Sequence, residues 1–180
     1  MGDFSFPSYY NFPPFYTIQP VASIREKQLK LWCDFLTSYL KAHNKWSISV
    51  QEDAKTELFF NASLNRALPT EGIQAVLQEL CSLGHAEWDD AKQTQCTVSY
   101  KTFGDWAEVL YTWAQQNSYI NQISTIYELH AGEESTGAAF HGLPQAVIVA
   151  SLRVLQTQGR VLLIAGQDVS EMGVKFLPAQ

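Results

Sequence analysis

One segment of this chain occurs twice, without a gap, and the repeat limits the fold more than any other feature of the sequence. The first copy, LPTEGIQAVLQELCSLGHAEW, starts at Leu68, and the second, LPQAVIVASLRVLQTQGRVLL, starts 75 residues later at Leu143. The identical positions are Leu68, Pro69, Ile73, Ala75, Leu77, Leu80 and Gly84, which recur as Leu143, Pro144, Ile148, Ala150, Leu152, Leu155 and Gly159. A chain of 180 residues therefore holds two small domains built on one plan.

The repeated segment is predicted to form a helix that is followed by two strands. Ile73, Leu77 and Leu80 recur at helical spacing, and a proline stands at the helix start. Gly84 is expected to end the helix, because glycine adopts left-handed backbone angles without a steric penalty. The predicted strands are HAEW and TQCTVSY after the first helix, and RVLLIAG and GVKFL after the second. A helix followed by two strands that a turn connects is the end of a winged helix.

Each predicted domain also begins with its own helix. The capping-box spacing of Ser23 with Glu26, and of Thr102 with Asp105, predicts where these two helices start. The residues expected to face the cores are Ile24, Trp32, Phe35, Leu36, Tyr39 and Leu40 in the first helix and Trp106, Val109, Leu110 and Trp113 in the second.

The resulting fold class is α+β and mainly helical. Short strands at Trp46–Val50 and Gln122–Thr125 are expected to complete the two winged helices. We predict two tandem winged-helix domains, residues 21–100 and 101–180, preceded by an extended N-terminal arm of proline and aromatic residues, 1–20.

The arm contains the stretch YYNFPPFYTIQP, residues 9–20, in which five residues are aromatic and three are proline. Proline fixes its own backbone torsion and disfavours a helix at the residue before it, so an extended backbone is expected here. Such an arm loses little conformational entropy on binding, and its aromatic side chains suit pockets on a partner protein. The alternative is that the arm folds back onto the first domain.

The charge distribution argues against nucleic-acid binding. The formal net charge is −6. The first candidate recognition helix carries Glu71 and Glu79 without Lys or Arg, and the second carries only Arg153. Because nucleic-acid binding requires cationic side chains that neutralise phosphates, we expect no nucleic-acid partner. A nucleic-acid-binding winged helix stays as an alternative function.

The sequence predicts no catalytic residue, no cofactor and no metal site. It has no Gly-rich phosphate loop and no nucleophile elbow, and its histidines lack metal-binding spacing: His43, His85, His130 and His141. An odd number of cysteines without a C-x-x-C motif indicates reduced thiols in a cytosolic protein: Cys33, Cys81 and Cys96. No apolar run approaches the roughly 20 residues of a membrane span. Membrane contact is therefore expected only through partners.

The sequence resembles, over nearly its whole length, the family of small tandem winged-helix subunits of the ESCRT-II endosomal sorting complex. The motifs that carry the resemblance are FPSYYNFPPFYTIQP, LPTEGIQAVLQELCSLGHAEW, STIYELHAGEE, FHGLPQA and GVKFL. The resemblance implies a non-enzymatic assembly subunit that acts in the sorting of ubiquitinated cargo into multivesicular bodies. It also implies a cytoplasmic protein that is recruited peripherally to endosomal membranes.

In that family a PPXF motif near the N-terminus docks on the two larger winged-helix subunits, and each complex holds two copies of the small subunit. The matching residues here are Phe12, Pro13, Pro14, Phe15 and Tyr16. Tyr16 stands where the family motif has Phe, so its hydroxyl group must reach a hydrogen-bond acceptor or solvent. The Tyr also creates a P-P-x-Y string that resembles a ligand of WW domains, which makes a WW-ligand adaptor a further alternative.

The family's C-terminal winged helix contacts the N-terminal helix of the ESCRT-III subunit that starts filament assembly. That helix resembles a basic amphipathic segment, and the second domain here carries the adjacent acids Glu133 and Glu134. We expect this acidic loop to face ESCRT-III and to speed the encounter. A solvated loop without a partner is the alternative.

Overall fold

The structure, a computed structural model, describes residues 4–179. The backbone divides after Tyr100 into two units, and each unit combines helices with a small antiparallel sheet. The predicted fold class, α+β and mainly helical, is confirmed. Among the described residues, no helix combines the length and the apolar character that crossing a membrane requires.

The first unit has two helices, a three-stranded sheet and a separate two-stranded hairpin. In chain order its elements are α1 (Ala22–His43), β1 (Ser47–Ser49), β2 (Phe60–Asn61), β3 (Arg66–Ala67), α2 (Thr70–Ser82), β4 (Ala86–Trp88) and β5 (Gln95–Val98). The strand order β1-β5-β4 places the first strand beside the last, with antiparallel pairing throughout. The helix α2 followed by the hairpin β4–β5 is the predicted end of a winged helix.

The second unit repeats this arrangement, except that a short helix stands in place of the two-stranded hairpin. Its elements are α3 (Phe103–Gln116), β6 (Ile123–Thr125), α4 (Ile126–Ala131), α5 (Gln145–Thr157), β7 (Val161–Ile164) and β8 (Gly173–Phe176). The strand order β6-β8-β7 matches the order in the first unit, again with antiparallel pairs. The short strands predicted ahead of the repeated helices are therefore confirmed, and the repeat in sequence is a repeat in structure.

The ends of the repeated helices follow the sequence closely. Gly84 and Gly159 have φ angles of 81° and 71°, in the left-handed region where a side chain is strained. The prolines differ slightly from the expectation, because Pro69 and Pro144 stand just before the first helical residue rather than inside the helix. Their fixed φ suits this position, where the backbone turns into the helix.

One of the two predicted capping boxes forms. The Asp105 amide donates to the Thr102 hydroxyl at 3.0 Å, and the Asp105 carboxylate accepts from the Thr102 amide at 3.3 Å. This confirms the start of α3. A capping box that we did not predict, between Thr125 and Glu128, starts the short helix α4.

The capping box predicted at Ser23 is wrong. Helix α1 begins at Ala22, with Val21 as the residue that precedes it. The amides of Ile24 and Arg25 donate to the Val21 carbonyl, and no side chain caps the helix. The inward face predicted for the first turn is also wrong. Ile24, which was expected to point inward, is 50% exposed.

Farther along α1 the predicted inward face is correct. Its buried members are Trp32, Phe35, Leu36, Tyr39 and Leu40. In α3, Trp106 and Leu110 are buried as expected, whereas Val109 and Trp113 are only half-buried.

The N-terminal arm is not extended, and this part of the prediction is wrong. Its backbone forms two 3-10 turns, Ser8–Asn11 and Pro13–Tyr16. The Phe15 amide donates to the Phe12 carbonyl at 2.9 Å and closes the second turn. A proline φ near −65° fits the first turn of such a helix as well as it fits an extended chain, so the prolines do not prevent the turn.

Candidate functional site

The N-terminal segment, which we define as residues 9–20, packs on the first half of α1 and contains the predicted docking motif. Phe15 stacks face to face on Trp32, with the ring centroids 4.1 Å apart and the planes 6° from parallel. Phe15 is 4% exposed, and Trp32 is fully buried. Phe15 therefore belongs to the core of the first unit, as the alternative that the arm folds back had proposed.

Tyr16 is also buried, with 2% of its surface exposed. Its hydroxyl donates to the Tyr10 carbonyl at 2.8 Å, and the Tyr10 hydroxyl donates to the Glu57 carbonyl at 2.7 Å. Burial raises the pKa of Tyr16, so its hydroxyl stays protonated and keeps donating. The hydroxyl that distinguishes Tyr16 from the family's Phe thus finds its acceptor within this chain.

Gln28 holds the backbone of the N-terminal segment against α1. Its side-chain amide nitrogen donates to the carbonyls of Thr17 and Phe15 at 2.8 and 3.1 Å, and its oxygen accepts from the Gln19 amide at 3.0 Å. Trp32 adds a bond from its indole nitrogen to the Phe15 carbonyl at 3.0 Å. Our sequence analysis missed Gln28, although a glutamine four residues before Trp32 on a buried stripe signals a buried polar partner.

The part of the motif that faces solvent is the turn that begins at Phe12. Phe12 is 59% exposed, and Pro13 and Pro14 are exposed beside it. On α1, Ile24 is 50% and Leu31 is 38% exposed. We call these five residues the docking surface, after the predicted docking motif, since clustered exposed apolar side chains are typical of interaction sites.

A groove of about 360 Å³ runs through the docking surface. Its lining includes Phe12, Pro14 and Phe15 on the side of the N-terminal segment and Ile24 and Leu31 on the side of α1. The groove is mostly apolar. Hydrogen bonds connect the N-terminal segment and α1, which together line it.

The acidic turn, which we define as Glu133 and Glu134, lies in the second unit directly after α4. Both side chains are exposed within the 3-10 turn Glu133–Ser135. The turn is anchored by the buried Ser135, whose hydroxyl lies 2.9 Å from the Gly132 carbonyl, its acceptor, and 2.7 Å from His141 Nδ1. Glu134 also borders a groove of about 590 Å³ along α3. The structure thus places Glu133 and Glu134 together on a fixed, solvent-exposed turn.

The described residues hold no cluster of metal-binding side chains, and their cysteines are free thiols. Across residues 4–179, no group of three or more His, Cys, Asp or Glu side chains is arranged to hold a metal ion. The cysteines are free thiols, as predicted, and burial raises the pKa of Cys33 to about 12. Cys33 therefore carries no thiolate at neutral pH.

Comparison with known families and proteins gives one consistent result. The family model described as ESCRT-II complex subunit matches residues 9–144. Vacuolar protein-sorting-associated protein 25 of Drosophila melanogaster is 38% identical over 176 residues, which cover 98% of this chain and 99% of the relative. The proteins of that name from Danio rerio and Homo sapiens are each 36% identical over 173 residues, covering 96% of this chain and 98% and 97% of the relatives.

Solved structures agree with the sequence matches. A crystal structure of subunit VPS25 of the endosomal trafficking complex ESCRT-II matches with a TM-score of 0.75 and 25% identity, covering 95% of this chain and 98% of that one. A chain in the endosomal complex ESCRT-II (VPS22/VPS25/VPS36) matches with a TM-score of 0.73 and 25% identity, covering 94% of this chain and 98% of that one.

Proposed function

Because this chain belongs to the ESCRT-II complex subunit family, whose members are structural rather than catalytic, we propose that it docks onto the larger ESCRT-II subunits through its N-terminal segment. The motif residues then have two different roles. Phe12, Pro13 and Pro14 contact the partner, whereas Phe15 and Tyr16 hold them in place from inside the first unit. The observation that carries the proposal is the exposure of Phe12 on a backbone turn that hydrogen bonds fix.

The partners in this proposal are the counterparts of VPS22 and VPS36, the subunits that accompany VPS25 in a solved ESCRT-II complex. We propose that each complex takes up two copies of this chain. The chain then acts in the sorting of ubiquitinated cargo into multivesicular bodies. It is cytoplasmic, and its partners bring it to the surface of endosomes.

The state of the N-terminal segment favours tight docking. Gln28 and Trp32 already fix its backbone, so binding costs little further conformational entropy. Burial of one Phe side chain contributes about 2 kcal/mol, which corresponds to roughly a 30-fold change in affinity. Phe12 alone therefore supplies a useful part of the binding free energy.

The docking proposal predicts the effect of removing the exposed side chains. A Phe12→Ala, Pro14→Ala double variant is expected to bind the co-purified larger subunits at least about 30-fold more weakly. Isothermal titration calorimetry with the larger ESCRT-II subunits of the same organism measures this loss of affinity. The melting temperature should stay unchanged, because both side chains are exposed. Leu83→Ala is the matched control, since Leu83 is 50% exposed elsewhere in the first unit. Unchanged affinity of the double variant contradicts the proposal.

We propose that the second unit contacts the ESCRT-III subunit that initiates filament assembly, with the acidic turn facing its basic N-terminal helix. Support for this contact comes from geometry and charge. The anchored Ser135 keeps Glu133 and Glu134 in place, and their carboxylates are free to attract a cationic segment over a Debye length.

Charge reversal tests the role of the acidic turn. A Glu133→Lys, Glu134→Lys variant is expected to associate with the initiating ESCRT-III subunit several-fold more slowly at low salt, and the difference should shrink at high salt. Stopped-flow or surface-plasmon measurements of the association rate are suitable. Glu52→Lys, Glu71→Lys is the control, because it changes the net charge equally at exposed positions of the first unit. If both variants associate equally fast, the acidic turn has no part in the contact.

The two alternative functions receive less support from the structure. A WW domain reads the tyrosine of a P-P-x-Y ligand, and Tyr16 is only 2% exposed. The helix that would enter a nucleic-acid groove, α2, presents the exposed acid Glu71 in its first turn, and this charge would repel phosphates.

A further inference from the structure

We propose that the groove in the docking surface is a pocket that receives an apolar side chain of the larger ESCRT-II subunit. Docking is then reciprocal, since Phe12 enters the partner while a partner side chain enters this chain. The inference rests on the proposed function and deepens it. It adds Ile24 and Leu31 of α1 to a contact that the sequence motif confines to the N-terminal segment.

The size and lining of the groove fit such an occupant. Its volume of about 360 Å³ accommodates one or two apolar side chains. The walls are the rings of Phe12 and Pro14 and the aliphatic side chains of Ile24 and Leu31. Contact with this lining releases water from apolar surface on both molecules, which is the main source of binding free energy at a protein interface.

The distribution of exposed apolar residues also points to this place. Ile24 and Leu31 are seven residues apart on α1, which is two helical turns, so both lie on the same face. Among the described residues of the first unit, the large apolar side chains that are exposed are Phe12, Val21, Ile24, Leu31 and Leu83. Phe12 belongs to the N-terminal segment, Val21 directly precedes α1, and Ile24 and Leu31 lie in the first half of α1. The exposure is therefore concentrated beside the docking motif rather than scattered.

The pocket exists before binding. Gln28 bonds the carbonyls of Phe15 and Thr17, and the Tyr9 hydroxyl donates to the Leu31 carbonyl at 3.2 Å. These bonds connect the two walls across the groove. A pocket that is already formed loses little conformational entropy on binding, and its shape selects which side chain can enter.

Charge at the rim favours a larger ESCRT-II subunit over a second copy of this chain. The exposed Lys27 lines the groove. Two copies that met face to face at this groove would bring their Lys27 ammonium groups together, which costs free energy. A second copy bound at this groove would also cover Phe12, which the proposed docking on a larger subunit requires. The occupant that we infer is an apolar side chain of the larger subunit with an acidic residue close enough to face Lys27.

Placing two carboxylates on the α1 side of the groove tests the pocket. An Ile24→Glu, Leu31→Glu variant is expected to bind the co-purified larger subunits at least tenfold more weakly, because two carboxylates replace apolar lining and lose hydration when the partner's apolar side chain covers them. Both positions are exposed on a helix and Glu is a good helix former, so the melting temperature should change little. Leu83→Glu is the matched control. It makes the Leu→Glu change of position 31 at an exposed apolar position outside the groove.

A photo-crosslinking residue at position 31 gives a second measurement that does not depend on affinity. It is expected to form a crosslink with the larger subunit in the assembled complex, whereas the same residue in place of Leu83 is not. Comparison with the Phe12→Ala, Pro14→Ala variant separates the two proposals. If that variant loses binding while Ile24→Glu, Leu31→Glu binds normally and position 31 gives no crosslink, the pocket is refuted and the docking motif stands. If both variants bind normally, both proposals fail.

Discussion

A Phe15→Ala variant is expected to lose about 3–5 kcal/mol of unfolding free energy, the usual cost of truncating a buried Phe to Ala. The reason is the stacking of Phe15 on Trp32 at 4.1 Å, in a core that also includes Tyr16. Urea unfolding monitored by tryptophan fluorescence measures the loss, and Trp32, one of five tryptophans in the chain, lies in the contact itself. The variant should also bind the larger ESCRT-II subunits poorly, because the turn that displays Phe12 loses its support.

Phe12→Ala is the control that separates core from surface. Phe12 precedes the same Pro-Pro pair but is 59% exposed, so its truncation should change the unfolding free energy by less than about 0.5 kcal/mol. Equal stability of the two variants contradicts the structure described here. It would mean that Phe15 points into solvent and that the N-terminal segment is a free arm in solution.

A Gly132→Ala variant is expected to destabilise the second unit by about 2–3 kcal/mol, the cost of forcing extra atoms into a packed site. A methyl group at Gly132 would overlap the Glu128 carbonyl oxygen and lie 2.9 Å from the Glu128 Cα. Both atoms belong to the backbone of α4 and cannot rotate away. The acidic turn that follows would shift with the end of α4. Chemical denaturation followed by far-ultraviolet circular dichroism measures the change.

Gly104→Ala makes the same substitution in the same unit with the opposite expectation. A methyl group there meets only the Thr102 hydroxyl, at an ordinary 3.7 Å, and Gly104 lies within α3. Ala is the better helix former by about 1 kcal/mol, so this variant should be slightly more stable. If Gly132→Ala is as stable as Gly104→Ala, the close approach at Glu128 does not exist in solution.

The tandem winged helix was predictable from sequence because its signals are local and occur twice. Gly84 and Gly159 end equivalent helices for the same steric reason, and Thr102 finds its capping partner three residues away. Neither signal needs knowledge of distant parts of the chain. The repeat then links the two local patterns, so a correct interpretation of one copy supports the other.

The docking surface was only partly predictable, because burial depends on contacts between distant residues. Phe12 and Phe15 flank the same pair of prolines, and no local pattern shows that one is exposed while the other stacks on Trp32. The face of Ile24 was mistaken for a similar reason. The N-terminal segment packs on α1 through Gln28 and Trp32, and Ile24 forms the outer wall of the groove instead.

Under the docking proposal, Gln28 also makes assembly depend on the folded state. It holds the N-terminal segment only when α1 has formed and the aromatic core beneath it is packed. An unfolded chain keeps the same motif residues but has neither the turn nor the groove. A partner that recognises this surface therefore binds the native state alone and stabilises it by mass action. The gain in unfolding free energy grows with the logarithm of the ratio between the partner's free concentration and its dissociation constant. Incorporation into the complex would thus select correctly folded copies and protect them from proteolysis.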